Sequence, residues 1–279
     1  MSSSSHTPID VYQQGLEGII GVYLLETDGG PALFDCGPAV CFDRLREQVD
    51  LGELRHLLLS HIHLDHAGAA GLVIRENPRI QVHVSEVGAP HLVDPERLIR
   101  SARRIYGDTL DMLFGEPTPV PEENIQVTTE HIGSIGCFPA PGHASHHVCY
   151  MHDDGTLYAG DACGVRLLPG NHVLPHAPPP DIDLDGWERT FDEVLRHQPA
   201  RLALIHFGVV EGMPEVAEHV AQARERLSLW AERVRGGMSE EDFVARAGEE
   251  LGDYDEKHRV AAPFEQSYAG LRRYWDTRG

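Results

Sequence analysis

Residues 54–66 read LRHLLLSHIHLDH, and this stretch joins an apolar run to a dense group of polar side chains. The apolar part has the length and composition of a buried β-strand. Three histidines and one aspartate follow it directly: His61, His63, Asp65 and His66. A strand that ends in a tight turn and continues into a helix can bring such side chains to one side. Because histidine and aspartate are common ligands of zinc and related metals, the stretch predicts a metal site.

The sequence around this stretch alternates between strand and helix patterns. Predicted strands lie at residues 18–26, 31–35, 54–60, 80–84, 125–138, 148–151, 156–159 and 201–205. Predicted helices lie at residues 42–49, 67–75 and 184–196. The first half therefore runs β-β-α-β-α-β, and this order predicts an α/β architecture.

Two other regions have helical spacing and lie outside this alternation. We expect residues 1–211 to form one domain, in which residues 90–121 are a helical insertion that caps the site. Residues 212–279 are expected to form a C-terminal helical extension. Within it, residues 216–234 carry one apolar stripe. Packing of the stripe on the core and a homodimer seam are both open interpretations.

Three further candidate ligands lie at strand ends or turns later in the chain. His143 follows Pro-Gly, Asp161 follows the strand at residues 156–159, and His206 follows the strand at residues 201–205. With the first group, the candidates are five histidines and two aspartates. Seven ligands are too many for one four-coordinate ion, and they suit two ions that share a carboxylate bridge.

Residues 61–66 form the pattern HxHxDH, and over about residues 18–206 the chain resembles the metallo-β-lactamase superfamily. The resemblance implies an αββα sandwich with metals between two sheets at one edge. It also implies two ligand sets, which are His61, His63 and His143 for one metal and Asp65, His66 and His206 for the other. Asp161 would bridge the two metals. Asp35 would hydrogen-bond to a ligand histidine from behind.

The function that the resemblance implies is hydrolysis with two divalent metal ions, for which we expect Zn²⁺, with Fe or Mn as alternatives. A bridging hydroxide, formed near neutral pH, would attack a small ester, lactone or thioester. Asp65 would orient the hydroxide or carry a proton. The alternative is a mononuclear iron oxidoreductase that resembles persulfide dioxygenases. The complete set of seven ligands favours the hydrolase.

The insertion and the helical tail resemble the glyoxalase II-like and lactonase-like branches, and the subfamily stays unassigned. Glyoxalase II has basic residues in its C-terminal part, whereas this tail is acidic. Acyl-homoserine lactonases carry a tyrosine at the position that Gly164 occupies here. Candidate pocket residues are Tyr106 on the insertion, and His172 and His176 in the Pro- and His-rich loop at residues 168–183.

Composition limits the partners and the compartment. The chain has 23 Lys+Arg against 44 Asp+Glu, which gives a formal net charge of −21. Nucleic acid is therefore not expected as a partner, since phosphate binding needs a basic face, and a small-molecule substrate is expected instead. We expect no membrane association, because no apolar run approaches the ~20 residues that cross a bilayer. Five cysteines without a framework spacing, and no visible secretory signal, favour the cytoplasm.

Overall fold

The fold is built from two mixed β-sheets that stack against each other, with helices packed around them. The computed structural model describes residues 6–128, 131–168, 170, 172–252 and 254–278. Within these residues each sheet has six strands. The predicted α/β architecture and the αββα sandwich are confirmed.

The first sheet has the strand order β1-β2-β3-β4-β5-β6. Its strands are β1 (Ile9–Asp10), β2 (Gly21–Thr27), β3 (Gly30–Phe34), β4 (His56–Leu58), β5 (Gln81–Val84) and β6 (Ile125–Val127). Strands β1 to β3 pair antiparallel, whereas β3 to β6 pair parallel. The apolar side chains of β4 are buried, as is usual for parallel strands that are covered on both faces.

The second sheet has the strand order β12-β11-β10-β9-β8-β7. Its strands are β7 (His131–Ile132), β8 (Ile135–Pro139), β9 (Val148–His152), β10 (Thr156–Tyr158), β11 (Arg201–Leu204) and β12 (Gly208–Glu211). Only the pairing of β10 with β11 is parallel among these described strands. The predicted strand at residues 125–138 is thus divided between the two sheets, and residues 129 and 130 lie outside the described part.

Aromatic side chains join the two sheets through the core. The ring centroids of Tyr23 and Tyr158 are 5.6 Å apart, and those of Phe34 and Tyr150 are 5.8 Å apart. The Tyr150 hydroxyl also donates a hydrogen bond of 2.9 Å to the carbonyl oxygen of Leu59, just after β4. The end of β4, where the histidine motif begins, is therefore fixed to the opposite sheet.

Eleven α-helices are found among the described residues. They are α1 (Phe42–Gln48), α2 (Leu64–Ala67), α3 (Ala70–Glu76), α4 (Ala89–Val93), α5 (Glu96–Tyr106), α6 (Leu110–Phe114), α7 (Leu184–Arg196), α8 (Met213–Arg235), α9 (Glu240–Leu251), α10 (Glu256–Ala261) and α11 (Phe264–Asp276). The predicted helix at residues 67–75 is divided between α2 and α3. A side chain could not fit at Gly68 because a Cβ would meet the Leu64 carbonyl oxygen.

The predicted insertion contains α4, α5 and α6, and a small apolar cluster of its own joins it to the metal motif. Leu64, in the motif, packs with Ala102 of α5 and Leu110 of α6. The insertion therefore lies directly over the residues predicted to bind metal. The division into a domain at residues 1–211 and an extension stays a prediction.

The apolar stripe on α8 packs on the core of its own chain. Val216, Val220, Leu227, Trp230 and Val234 are all at most 2% exposed and belong to the same buried cluster as both sheets. The stripe is therefore not available as a dimer seam, and that interpretation of it is wrong. Among the described residues, no helix combines the length and the apolar character needed to cross a bilayer.

Helix α11 approaches the loop at residues 168–183 so closely that it leaves no space for a side chain at Gly270. A Cβ there would meet the Ala177 carbonyl oxygen at less than a nonbonded distance. The Ala177 N–H also donates a 3.2 Å hydrogen bond to the Ser267 hydroxyl of the same helix. The tail thus supports the loop that carries His176.

We expect Gly270→Ala to lower the free energy of unfolding by about 1–3 kcal/mol, because the added methyl group forces the loop and α11 apart. Urea denaturation measures this change. Gly248→Ala is the matched control, since Gly248 is also helical and a Cβ there meets nothing within 4 Å. The control should be more stable than the unchanged protein by about 0.5–1 kcal/mol. Equal stability of the two variants would contradict the close contact.

Candidate metal centre

The seven predicted ligands meet at one edge of the sandwich, where strands of both sheets end. Five of them are at most 1% exposed, and these are His61, His66, His143, Asp161 and His206. His63 and Asp65 are half-buried and face outward. The ends of β4, β10 and β11 carry most of the set, which is why ligands from distant parts of the sequence converge there.

Three ring nitrogens form the first set. His63 Nδ1 lies 2.9 Å from His61 Nε2 and 3.0 Å from His143 Nε2. The three atoms are close enough to bind one metal ion.

The second set contains one carboxylate oxygen and two ring nitrogens. Asp65 Oδ2 lies 3.4 Å from His206 Nε2 and 3.7 Å from His66 Nε2. These three atoms lie within 4.8 Å of one another, which is close enough for them to bind one metal ion.

The Asp161 carboxylate faces both sets with different oxygens. Its Oδ2 lies 3.4 Å from His143 Nε2 of the first set. Its Oδ1 lies 3.3 Å from His66 Nε2 and 3.7 Å from His206 Nε2 of the second set. The carboxylate therefore lies between the two ligand sets and faces each of them with one oxygen.

Hydrogen bonds on the far side of the rings orient the histidines. His143 Nδ1 is 2.8 Å from the carbonyl oxygen of His176, and His206 Nδ1 is 2.7 Å from that of Ile19. A carbonyl oxygen only accepts, so both Nδ1 atoms carry the hydrogen. The Nε2 atoms are left to receive a metal ion or a proton. Such outer hydrogen bonds are typical of metal-binding histidines.

Asp35 and Ser60 orient two more ligands in the same way. The Asp35 carboxylate accepts 2.7 Å hydrogen bonds from the Ser60 N–H and hydroxyl, and a 2.8 Å bond from His66 Nδ1. The Ser60 hydroxyl in turn lies 2.9 Å from His61 Nδ1. The predicted position of Asp35 behind a ligand histidine agrees with this geometry. Ser60 was not predicted, although it directly precedes His61 in the sequence.

The donor set fits divalent cations. His66 Nε2, His206 Nε2 and Asp161 Oδ1 are buried and have no hydrogen-bond partner among the described residues. Buried polar atoms without a partner are costly, and here they point towards each other. A cation between them would satisfy all three at once.

The protonation states of the site residues also fit the binding of divalent cations. Burial and the neighbouring histidines lower the pKa of His61 and His63 well below its usual range, so both rings are neutral, as metal binding requires. Burial alone would raise the pKa of Asp161, but His66 and His206 outweigh it and hold that pKa low. The pKa of both His66 and His206 is raised because the carboxylates outweigh burial, so these positions attract positive charge.

Three side chains from other elements hold the turn that carries Asp161. His147 Nε2 accepts a 3.2 Å bond from the Asp161 N–H, and the Trp187 indole donates a 2.7 Å bond to the Ala162 carbonyl. His219 of α8 lies 2.9 Å from the Cys163 carbonyl oxygen. Trp187 and His219 were not predicted. The polar His219 within an otherwise apolar stripe was the available signal.

Two cavities reach the metal centre. The insertion cavity, of about 410 Å³, is lined by His63 and Asp65, by Leu98 and Ala102 of α5, and by the half-buried Ser101. The tail cavity, of about 260 Å³, is lined by Asp65 and His206, and by Arg259, Val260 and Gln266 of the C-terminal helices. Tyr106 and His176, two of the predicted pocket residues, line both cavities.

His172, the third predicted pocket residue, is not among the described residues that line these two cavities. An antiparallel bridge between Val165 and Leu174 folds the loop back on itself. Leu168 and Gly170 near its tip line a different cavity, beside Tyr254. The structure therefore brings His176 of this loop to the two cavities, whereas His172 does not line either of them. Residues 169 and 171 lie outside the described part.

Comparison with known proteins identifies the family. The model of the metallo-beta-lactamase superfamily matches residues 17–206, and the chain belongs to this superfamily. The uncharacterized protein YobT of Bacillus subtilis (strain 168) is 28% identical over 160 residues, which span 53% of this chain and 63% of YobT. The metallo-beta-lactamase fold-containing protein ST1585 of Sulfurisphaera tokodaii is 23% identical over 224 residues. These residues span 72% of this chain and 83% of that protein.

Solved structures share the fold. ST1585 from Sulfolobus tokodaii aligns with a TM-score of 0.69 at 20% identity, covering 95% of this chain and 96% of its own. TTHA1429 from Thermus thermophilus aligns with a TM-score of 0.61 at 18% identity, covering 93% and 89%. The di-iron-bound form of TTHA1623 aligns with a TM-score of 0.54 at 18% identity, covering 76% and 97%. At these identities the likeness concerns the fold alone.

We expect Asp35→Asn to weaken metal binding by about 10–100-fold, because an amide is a weaker acceptor for the His66 N–H. Competition with a chromophoric chelator measures the affinity. Asp28→Asn is the control, since Asp28 is exposed and lies at the other end of β3 from Asp35. Metal affinity equal to that of the unchanged protein would contradict the orienting role of Asp35.

Proposed function

We propose that this protein is a dinuclear metal-dependent hydrolase that cleaves a small ester, lactone or thioester. The proposal rests above all on the Asp161 carboxylate, whose two oxygens face two separate ligand sets at 3.3–3.7 Å. A site for one metal would not need a second set of ligands on the other side of this carboxylate. The proposed mononuclear iron alternative would leave the second set unused.

Two divalent cations, when bound, would lower the pKa of a water molecule and polarise a substrate carbonyl. His61, His63 and His143 would hold one of them, and Asp65, His66 and His206 would hold the other. We propose Zn²⁺, because the donors are mainly imidazole nitrogens, with Fe or Mn as alternatives. The structural neighbour TTHA1623 has been solved in a di-iron-bound form, and iron is therefore kept as an alternative.

Asp65 is the ligand best placed to act on a reacting molecule. Its side chain is 24% exposed and lines both cavities, whereas Asp161 is 1% exposed. Burial raises the pKa of Asp65, but His66 and His206 outweigh burial and keep the carboxyl ionised. An ionised carboxylate at this place can orient the attacking water by hydrogen bonding and receive its proton.

The proposed substrate is a small molecule, and neither nucleic acid nor membrane is a proposed partner. The volumes of the two cavities suit small organic groups, and the net charge of −21 opposes binding to phosphate backbones. We also propose a cytoplasmic location, supported by the buried free thiols of Cys36, Cys41, Cys149 and Cys163. A homodimer remains a proposal without an assigned surface.

We expect Asp65→Asn to lower kcat/KM for esters and thioesters by about 100-fold or more, because the variant cannot receive the proton of the attacking water. Steady-state kinetics with a panel of small esters, thioesters and lactones measures the loss, and circular dichroism shows whether the fold is retained. Asp28→Asn again serves as the exposed control. Unchanged turnover in the Asp65 variant would remove this residue from the mechanism.

A further inference from the structure

Four described residues line both the insertion cavity and the tail cavity, so they lie where the two cavities meet beside the metal centre. They are Asp65, Tyr106, Phe114 and His176. Asp65 is a proposed metal ligand, and the Phe114 ring is apolar. The Tyr106 hydroxyl already donates a 3.3 Å hydrogen bond to Gln266 Oε1 on α11. Of the polar side chains in this group, His176 alone has neither use.

Hydrogen bonds fix the backbone at His176 to the metal centre and to the C-terminal helices. The His176 carbonyl oxygen accepts a 2.8 Å hydrogen bond from Nδ1 of the proposed ligand His143. The next residue, Ala177, donates its N–H to the Ser267 hydroxyl of α11 at 3.2 Å. Residue 176 is therefore held between the first ligand set and α11.

The loop before His176 packs on the turn that carries Asp161. A Cβ at Gly164 would lie 2.7 Å from the Leu174 carbonyl oxygen, so the loop leaves no space for a side chain there. Val165 and Leu174 also exchange two backbone hydrogen bonds of 2.8 Å across their antiparallel bridge. The loop is thus held against the residues that follow Asp161.

The ring of His176, unlike its backbone, is not held by a hydrogen bond at Nδ1. The residue is 6% exposed, and Nδ1 is buried without a partner among the described residues. His143 and His206 instead donate their Nδ1–H to backbone carbonyl oxygens. Because a buried polar group without a partner is costly, such a ring at the junction of two cavities indicates a role in binding a ligand.

Two other buried histidines near the centre have an unpartnered Nδ1, and their surroundings differ from those of His176. His147 Nε2 accepts a 3.2 Å bond from the Asp161 N–H, and His219 Nε2 lies 2.9 Å from the Cys163 carbonyl oxygen. Neither residue lines the insertion cavity or the tail cavity. Their rings hold the turn at Asp161, whereas the ring of His176 lines the space that a ligand can enter.

The place of this ring favours contact with the reacting part of a substrate. The ring centroids of His143 and His176 are 6.0 Å apart, so His176 lies beside a ligand of the first set. A molecule that extends from one cavity into the other passes both Asp65 and His176, because each lines both cavities. A substrate group held at the metal centre therefore lies next to the His176 ring.

We propose that His176 is a catalytic residue whose imidazole N–H donates a hydrogen bond to the acyl oxygen of the substrate as that oxygen gains negative charge. This inference rests on the proposed hydrolase function and adds a residue to it. Either neutral tautomer of an imidazole carries one N–H, so the ring can donate in either form. A donor that is fixed before the reaction stabilises the developing oxyanion more than the neutral carbonyl, and the hydrogen stays on the ring.

Substitution of His176 tests this role in turnover. We expect His176→Leu to lower kcat for small esters and thioesters by about 100-fold or more, with little change in KM. His176→Gln keeps an N–H donor and should retain at least about 10 times the kcat of the leucine variant. His172→Leu is the matched control, since His172 lies in the same loop and lines neither cavity. Its kcat should equal that of the unchanged protein.

Metal content and ligand binding separate a catalytic role from a structural one. Elemental mass spectrometry should find the same number of metal ions per chain in the unchanged protein and in each variant. Calorimetry with ethyl methylphosphonate, a tetrahedral anion that resembles the charged intermediate, should show about 10-fold weaker binding to metal-loaded His176→Leu. Loss of metal from His176→Leu, an equal loss of kcat in both His176 variants, or unchanged phosphonate binding would overturn the inference.

The outcomes distinguish this inference from the hydrolase proposal. Absence of turnover on every ester, thioester and lactone by unchanged protein that holds two metals would reject the hydrolase, and the catalytic role of His176 with it. Unchanged kcat in His176→Leu, measured beside active unchanged protein, would overturn the role of His176 and leave the hydrolase standing.

Discussion

The buried negative charge of Asp161 is the constraint on which the site depends. An ionised carboxylate that is 1% exposed is costly unless positive charge or hydrogen bonds compensate it. Here both of its oxygens face imidazole nitrogens whose far sides are bonded to the backbone or to Asp35. These hydrogen bonds hold the three rings in place around the carboxylate. The proposed pair of cations would compensate this charge, and the surrounding hydrogen bonds would keep the ligands in position.

Both sheets contribute ligands to the site around Asp161. Strands β4, β10 and β11 end at one edge, so each can place a ligand there while its apolar part stays in the core. The Tyr150 hydroxyl joins the end of β4 to the other sheet, and His219 and Trp187 hold the turn at Asp161. Because His219 belongs to α8, the C-terminal helices support the metal centre, and they also line the tail cavity. The tail is therefore part of the same functional unit as the sandwich.

Those features of the site that depend on local sequence could be predicted from it. The motif at residues 61–66 follows an apolar strand, and His143, Asp161 and His206 each follow a strand or a turn, so their convergence could be inferred from strand topology. The contact of Tyr106 with Gln266 joins residues 160 positions apart, and no periodicity in the sequence indicates it. His172 and His176 lie in the same Pro- and His-rich loop, and the sequence does not distinguish between them. The folded loop, which includes an antiparallel bridge between Val165 and Leu174, brings His176 to the site.

The metal content per chain tests the central claim most directly. Elemental mass spectrometry on protein purified without chelator should find about two zinc or zinc-like ions per chain, because the two ligand sets share the Asp161 carboxylate. One iron per chain with no second metal would contradict the account. It would favour the mononuclear, oxygen-consuming alternative.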